Sequence, residues 1–244
     1  MSILRKNRRL FRIKMRINFK STLWYLARPK IYGEYLCKVW EAIKKRLSKP
    51  VRSNEWCESQ AISLEDMILQ VTGSFATIPS ETLSESGNGR LLYNLAEHLQ
   101  AKRIVETGVA RGESTVSLLR SLKNRNGKLI STNIPQPDVW IKTGCLVPDE
   151  LAEYWELIDK PDRGALPKAL GQMPQIDMCY YDSDKSYSGR MFAYPLLWDA
   201  LRQGGIFVSD DIDDNFAFRD FCENNGLEPL IAKNGERFVG VIRK

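Results

Sequence analysis

Residues 176–211 read IDMCYYDSDKSYSGRMFAYPLLWDALRQGGIFVSDD. The opening run, 176–182, is apolar and too short for a globular helix, so it reads as a buried strand. An acidic loop follows, then a helical pattern over 189–202, a Gly204-Gly205 turn, and a second strand over 205–209 closed by two aspartates. Asp182, Lys185, Asp210 and Asp211 therefore fall at the ends of two neighbouring strands. In an open α/β sheet, ligands bind outside the carboxyl ends of the strands. Three carboxylates and one amine converging there suit a hard divalent cation and a proton-accepting lysine.

The same alternation continues on both sides. Strands are expected at 103–107, 128–132 and 155–158, and helices at 113–122, 165–171 and 216–225. Strands interleaved with helices imply an α/β fold, a mostly parallel sheet with helices on both faces. Short strands at 228–232 and 237–242, joined through Asn234-Gly235, predict an antiparallel hairpin at the sheet edge. Upstream, 51–100 reads as a helical lead-in punctuated by Gly73, Pro79, Gly87 and Gly89, with a helix over 90–100. His98, the only histidine, lies in that helix with no other ligand type beside it, so it reads as a surface residue.

The chain's 244 residues, 43% of them hydrophobic, suffice for one domain of 101–244 with the lead-in and a separate arm of 1–50. No apolar run approaches the ~20 residues needed to cross a bilayer. The Arg-rich start lacks the apolar core of a secretory signal. Five scattered cysteines with no CxxC pair imply reduced thiols and a cytoplasmic setting.

Charge divides the chain. Residues 1–50 hold 15 Lys and Arg against Glu34 and Glu41, a net of +13, whereas 51–244 hold 21 against 28 acids, a net of −7. The arm contains Phe11-Arg-Ile13-Lys-Met15-Arg-Ile17-Asn-Phe19-Lys, an apolar–basic alternation that favours an extended conformation. A helical pattern follows over 32–47. Such an arm suits an anionic membrane surface, which would place the protein peripherally at the inner face, at roughly 1 kcal/mol per nearby basic residue. A solvated or partner-covered arm is the alternative. The acidic body argues against nucleic acid as the partner.

The first strand of the sheet leads into Glu106-Thr-Gly108-Val-Ala-Arg-Gly112-Glu-Ser114-Thr115 and then a helix. Gly108 and Gly112 allow a tight turn and close backbone approach to a ligand. The helix N-terminus adds free N–H groups. The spacing E-x-G-x-x-x-G is neither the dinucleotide fingerprint nor a P-loop. Glu106 at a strand end suits a cationic amino-acid moiety and argues against pyrophosphate.

VETGVARGEST resembles the first cofactor motif of the class I S-adenosylmethionine-dependent methyltransferases. More narrowly, LVPDEL at 146–151, IDMCYYDSDKSY and GGIFVSDDI are similar to a bacterial group associated with glycan and secondary-metabolite pathways. The resemblance covers roughly 90–244 and implies a Rossmann-like fold: a mostly parallel seven-stranded sheet with a C-terminal antiparallel hairpin. It implies that Glu106, Gly108, Gly112 and Ser114 cradle the methionine end of the cofactor. Asn133 takes the place of the acid that binds the ribose hydroxyls, and Asp162 accepts from the adenine amine.

Asp182, Lys185, Asp210 and Asp211 are similar in spacing to metal-dependent catechol-type and caffeoyl-CoA O-methyltransferases, with Asp211 where those carry asparagine. The resemblance implies that Asp182, Asp210 and Asp211 hold Mg²⁺ or another divalent cation and that Lys185 takes the acceptor's proton. The acceptor would be a hydroxyl on a sugar, glycolipid or small natural product. The aromatic-rich stretch from Asp138-Val-Trp140 to Trp155 interrupts the alternation between the second and third strands and would form part of the acceptor wall. Two other readings stay open: a metal-independent methyltransferase in which Lys185 or Tyr187 orients the acceptor, and a non-catalytic membrane-associated protein that keeps the fold. The sequence does not decide between a monomer and a homo-oligomer.

Overall fold

Residues 53–77, 88–134 and 142–244 are described in a computed structural model of the chain. The basic arm, its extended segment and helix, and Asp138 to Trp140 lie outside them. In order come α1 (Asn54–Glu58), β1 (Ile62–Ser63), α2 (Leu64–Thr72) and α3 (Gly89–His98). The regular alternation then begins with β2 (Arg103–Thr107), α4 (Glu113–Lys123), β3 (Lys128–Asn133) and β4 (Trp155–Asp159). It continues through α5 (Asp162–Gln172), β5 (Ile176–Tyr181), α6 (Tyr187–Ala200) and β6 (Leu201–Ser209), and closes with α7 (Ala217–Asn224), β7 (Leu230–Asn234) and β8 (Arg237–Arg243).

The strands form one sheet in the order β1-β7-β8-β6-β5-β2-β3-β4. Only β8 runs against its neighbours. The expected architecture is present with one correction: among the described residues the sheet has eight strands, not seven. The extra strand, β1, is two residues of the lead-in paired in parallel with Ala232 and Lys233 of β7. So short a strand carries no hydrophobic period to read, and it exists only because β7 offers an edge. The hairpin is accordingly one strand in from that edge.

β5 shows why the sheet sits at the centre. All its residues are buried, as in strands covered on both faces. Its side chains alternate: Met178 and Tyr180 join the core beneath α2, α3 and α4, while Cys179 and Tyr181 join the core beneath α5, α6 and α7. In the second core the Tyr194 ring stands edge-on to Tyr181 and Phe207, each with centroids 5.1 Å away. Such pairs add about 0.5–1.5 kcal/mol beyond the area they bury.

Element ends moved where caps or bulges act. α6 begins at Tyr187 because the Ser186 hydroxyl accepts from the Gly189 N–H at 3.0 Å. β6 starts at Leu201, four residues earlier than the Gly205 start expected from sequence. A register shift opposite Ile176/Met178 absorbs the Gly204-Gly205 turn within the strand.

Candidate active site

Strand register assembles the site. Thr107 of β2 pairs with Tyr181 of β5, and Tyr181 pairs with Ser209 of β6. The residues just beyond these ends, Gly108, Asp182 and Asp210, thus leave the sheet at one level. Chain order reverses between β2 and β5: β3 and β4 lie to one side of β2, and β5, β6 and β8 to the other. That reversal is the topological switch point at which open α/β sheets bind ligands.

Backbone hydrogen bonds hold the strand ends together. Gly108 N–H donates to Thr132 (2.8 Å), and Asp182 N–H donates to Thr107 (2.9 Å). Gly108 has φ +84°, and a Cβ there would strike the Asp182 carbonyl. Gly112 has φ +101° and lies against Val147 and Gly144. Between them Ala110 also takes a positive φ of 47°, an uncommon backbone for a residue with a Cβ.

Two of the candidate cofactor residues, Glu106 and Asn133, hold this loop through hydrogen bonds of their own. Glu106 is fully buried, and its carboxylate accepts from Ser114 (2.6 Å), Thr115 (2.8 Å) and Ser131 (2.7 Å). Burial pushes its pKa up, and the three hydroxyls oppose that shift. Ser114 is consequently turned toward Glu106. Asn133 is 3% exposed, and its Oδ1 accepts from the N–H groups of Val109 (3.1 Å) and Ala110 (3.3 Å). Its Nδ2 donates to Ile134 O and Thr143 Oγ1. Asp162, the first residue of α5 and 6% exposed, accepts from Ser183 Oγ at 2.5 Å. Asp162 is thereby tied to the residue after Asp182.

The acidic cluster forms as the sequence implies. One carboxylate oxygen from each of Asp182, Asp210 and Asp211 lies within 4.8 Å of the others. Lys185 is bonded to Asp182 Oδ1, and its Nζ lies 3.1 Å from Asp211 Oδ2. Burial pushes Asp182 upward despite Lys185, and Asp210 moves the same way for the same reason. Burial also acts on Asp211, but Lys185 and Arg237 outweigh it and hold that carboxylate low. Burial presses the Lys185 pKa down, yet the three carboxylates outweigh it and keep the ammonium charged.

Four supporting residues escaped the sequence reading. Arg190, fully buried on α6, donates from Nη2 to the carbonyls of Asp210 (3.2 Å) and Asp211 (2.7 Å). It braces a backbone in which Asp211 has φ +51°. Arg237 donates to Asp211 Oδ1 (2.7 Å) and reaches Asp214 (3.0 Å). Asn88 donates to Asp210 Oδ1 at 2.9 Å, and the Tyr180 hydroxyl lies 3.4 Å from Asp182 Oδ2. Asn88 carried a local signal, a polar residue between two glycines just before a helix. The two arginines carried none, since their partners are distant in sequence.

Hard oxygen donors at this spacing fit a divalent cation such as Mg²⁺, which takes few carboxylates and keeps several waters. The glycine turn beside them fits an extended ligand laid across the strand ends.

A family model described as a methyltransferase domain matches residues 105–212. A catechol O-methyltransferase from Niastella koreensis is 28% identical over 194 residues, covering 73% of this chain and 78% of that protein. Two solved structures share the fold. An O-methyltransferase from Bacillus cereus in complex with SAH has 20% identity, a TM-score of 0.55, and coverage of 74% of this chain and 90% of that one. The O-methyltransferase TomG from Streptomyces achromogenes, in complex with SAM, has 17% identity, a TM-score of 0.53, and coverage of 84% and 97%.

Proposed function

We propose that the chain is a class I S-adenosylmethionine-dependent methyltransferase and that it methylates a hydroxyl oxygen with a divalent cation held by Asp182, Asp210 and Asp211. The observation that carries the metal is the convergence of three carboxylates beside the glycine turn. A bound divalent cation would polarise the acceptor hydroxyl and lower its pKa.

The chain's own residues do the rest by placement. Gly108 and Gly112 admit the cofactor's methionine end, with Glu106 and Asn133 holding that turn in shape. Bound S-adenosylmethionine would supply an activated methyl group to the acceptor oxygen and leave as the thioether, and the hydroxyl proton would pass to Lys185 only after that side chain had released its own proton to solvent. Lys185 carries its own proton in the site as it stands. It therefore serves as acceptor only once Asp182 and Asp211 are otherwise engaged. Alignment of this kind is worth ~7–11 kcal/mol in favourable cases. The acceptor class of sugar, glycolipid or small natural product rests on the sequence resemblance and on the catechol O-methyltransferase relative.

A metal-independent route draws support from one feature: the Lys185 ammonium already lies between Asp182 and Asp211. Calorimetric titration with S-adenosylhomocysteine, with and without Mg²⁺, followed by turnover in EDTA, separates the two. Metal-assisted transfer requires a Mg²⁺ binding event and loss of turnover with chelator. Full turnover in EDTA would establish the second route, and absent cofactor binding would remove both.

A further inference from the structure

We infer that Asn88 is a positioning residue that holds the Asp210 carboxylate in place and couples it to Asp182 across the strand ends; this rests on the metal reading above. Asn88 occupies the N-cap of α3, where an asparagine side chain normally accepts from a free backbone N–H of the first turn. Here it makes no such bond. Its amide is directed at the site instead. Nδ2 donates to Asp210 Oδ1 at 2.9 Å and lies 3.3 Å from the Tyr180 hydroxyl, and that hydroxyl donates to Asp182 Oδ2 at 3.4 Å. Oδ1 accepts from Asn234 Nδ2 at 2.8 Å, at the end of β7.

The chemistry allows only one orientation of that amide. A carboxylate can only accept, so the edge of Asn88 facing Asp210 must be its NH₂. The carbonyl then faces Asn234, which has a donor to give. Asn88 and Tyr180 are 3% and 2% exposed, so water does not compete for these bonds. The bond to Asn88 takes one acceptor position on Asp210 Oδ1 and fixes the rotation of that carboxylate. One side chain thus ties together α3, the tips of β5 and β6, and the hairpin. Residues that orient ligating carboxylates in this way typically change metal affinity by about 10–100-fold when removed.

Asn88→Ser makes the test selective. Serine keeps a side chain able to cap the helix but is too short to reach Asp210, so a capping role would survive the change and the bond to Asp210 would not. Mn²⁺ is titrated calorimetrically into protein saturated with S-adenosylhomocysteine, for wild type, Asn88→Ser, Asn234→Ala and the double variant. The expected result is about a tenfold loss of ion affinity in Asn88→Ser, with cofactor affinity unchanged. Asn234→Ala should lose a few-fold, and the double variant should be no weaker than Asn88→Ser alone, because Asn234 acts through Asn88. Wild-type ion affinity in Asn88→Ser overturns the inference and leaves the metal site standing. A wild-type protein that binds the cofactor but no ion overturns the metal reading, and the inference with it.

Discussion

Gly108 has no room for a single extra carbon. Its φ of +84° disfavours any side chain by roughly 1–2 kcal/mol, and an added Cβ would meet the Asp182 carbonyl. Gly108→Ala should therefore lower stability by at least about 1 kcal/mol in chemical denaturation and weaken S-adenosylhomocysteine binding. Asp182→Ala should instead abolish turnover while cofactor affinity stays within a few-fold; wild-type turnover would refute the metal role. Lys185→Ala should lower kcat more than it raises KM, since its contribution falls in the reacting state. The four charged residues of the cluster were legible because each ends a strand or begins the following loop. Glu106 and Asn133 were legible as residues of the glycine turn, but their hydrogen-bond partners were not. Their partners are the hydroxyls of residues 114, 115 and 131 and the N–H groups of 109 and 110, and sequence spacing does not show which way a side chain turns. Arg190 and Arg237 join the site only through folding.

β5 and the second half of β6 carry the clearest strand signal, because burial on both faces leaves nearly continuous apolar runs. The start of α6 depends on one capping side chain, Ser186, and β1 depends on its neighbour. At the opposite end of the sheet from the acidic cluster, Asp177 pins the start of β5 to that of β2. Its carboxylate accepts from the N–H groups of Lys102 and Arg103, both at 2.9 Å, and from Arg103 and Arg202. Burial raises its pKa, but these donors outweigh burial and hold it below the usual carboxylate range. A carboxylate lowered on folding stabilises fully above its unfolded pKa, about 3.9, and that contribution fades as pH falls through the folded value. Asp177→Asn should cost about 1–3 kcal/mol at neutral pH. The gap between variant and wild type in urea denaturation should close progressively below about pH 4.

Across the whole molecule, charge is the property that sequence reports and the described residues do not explain. The acidic body accounts for the site, and the +13 arm stands outside it. If the arm meets an anionic surface, removing residues 1–20 should abolish sedimentation with phosphatidylserine-containing liposomes and leave cofactor affinity unchanged. Undiminished sedimentation would assign the arm another role. Beyond the neighbouring β5 and β6 and the hairpin, the order of the sheet strands was not legible, since local pattern yields strands but not their neighbours.

The two-residue pairing of Ile62 and Ser63 with β7 guards the outer rim of the hairpin. Without that cover, the backbone of β7 would be a bare template onto which a second copy could add its own strand. A proline at Ile62 should therefore show itself first as concentration-dependent self-association in sedimentation velocity, before any loss of cofactor binding. The lead-in thus protects solubility from a point remote from the chemistry.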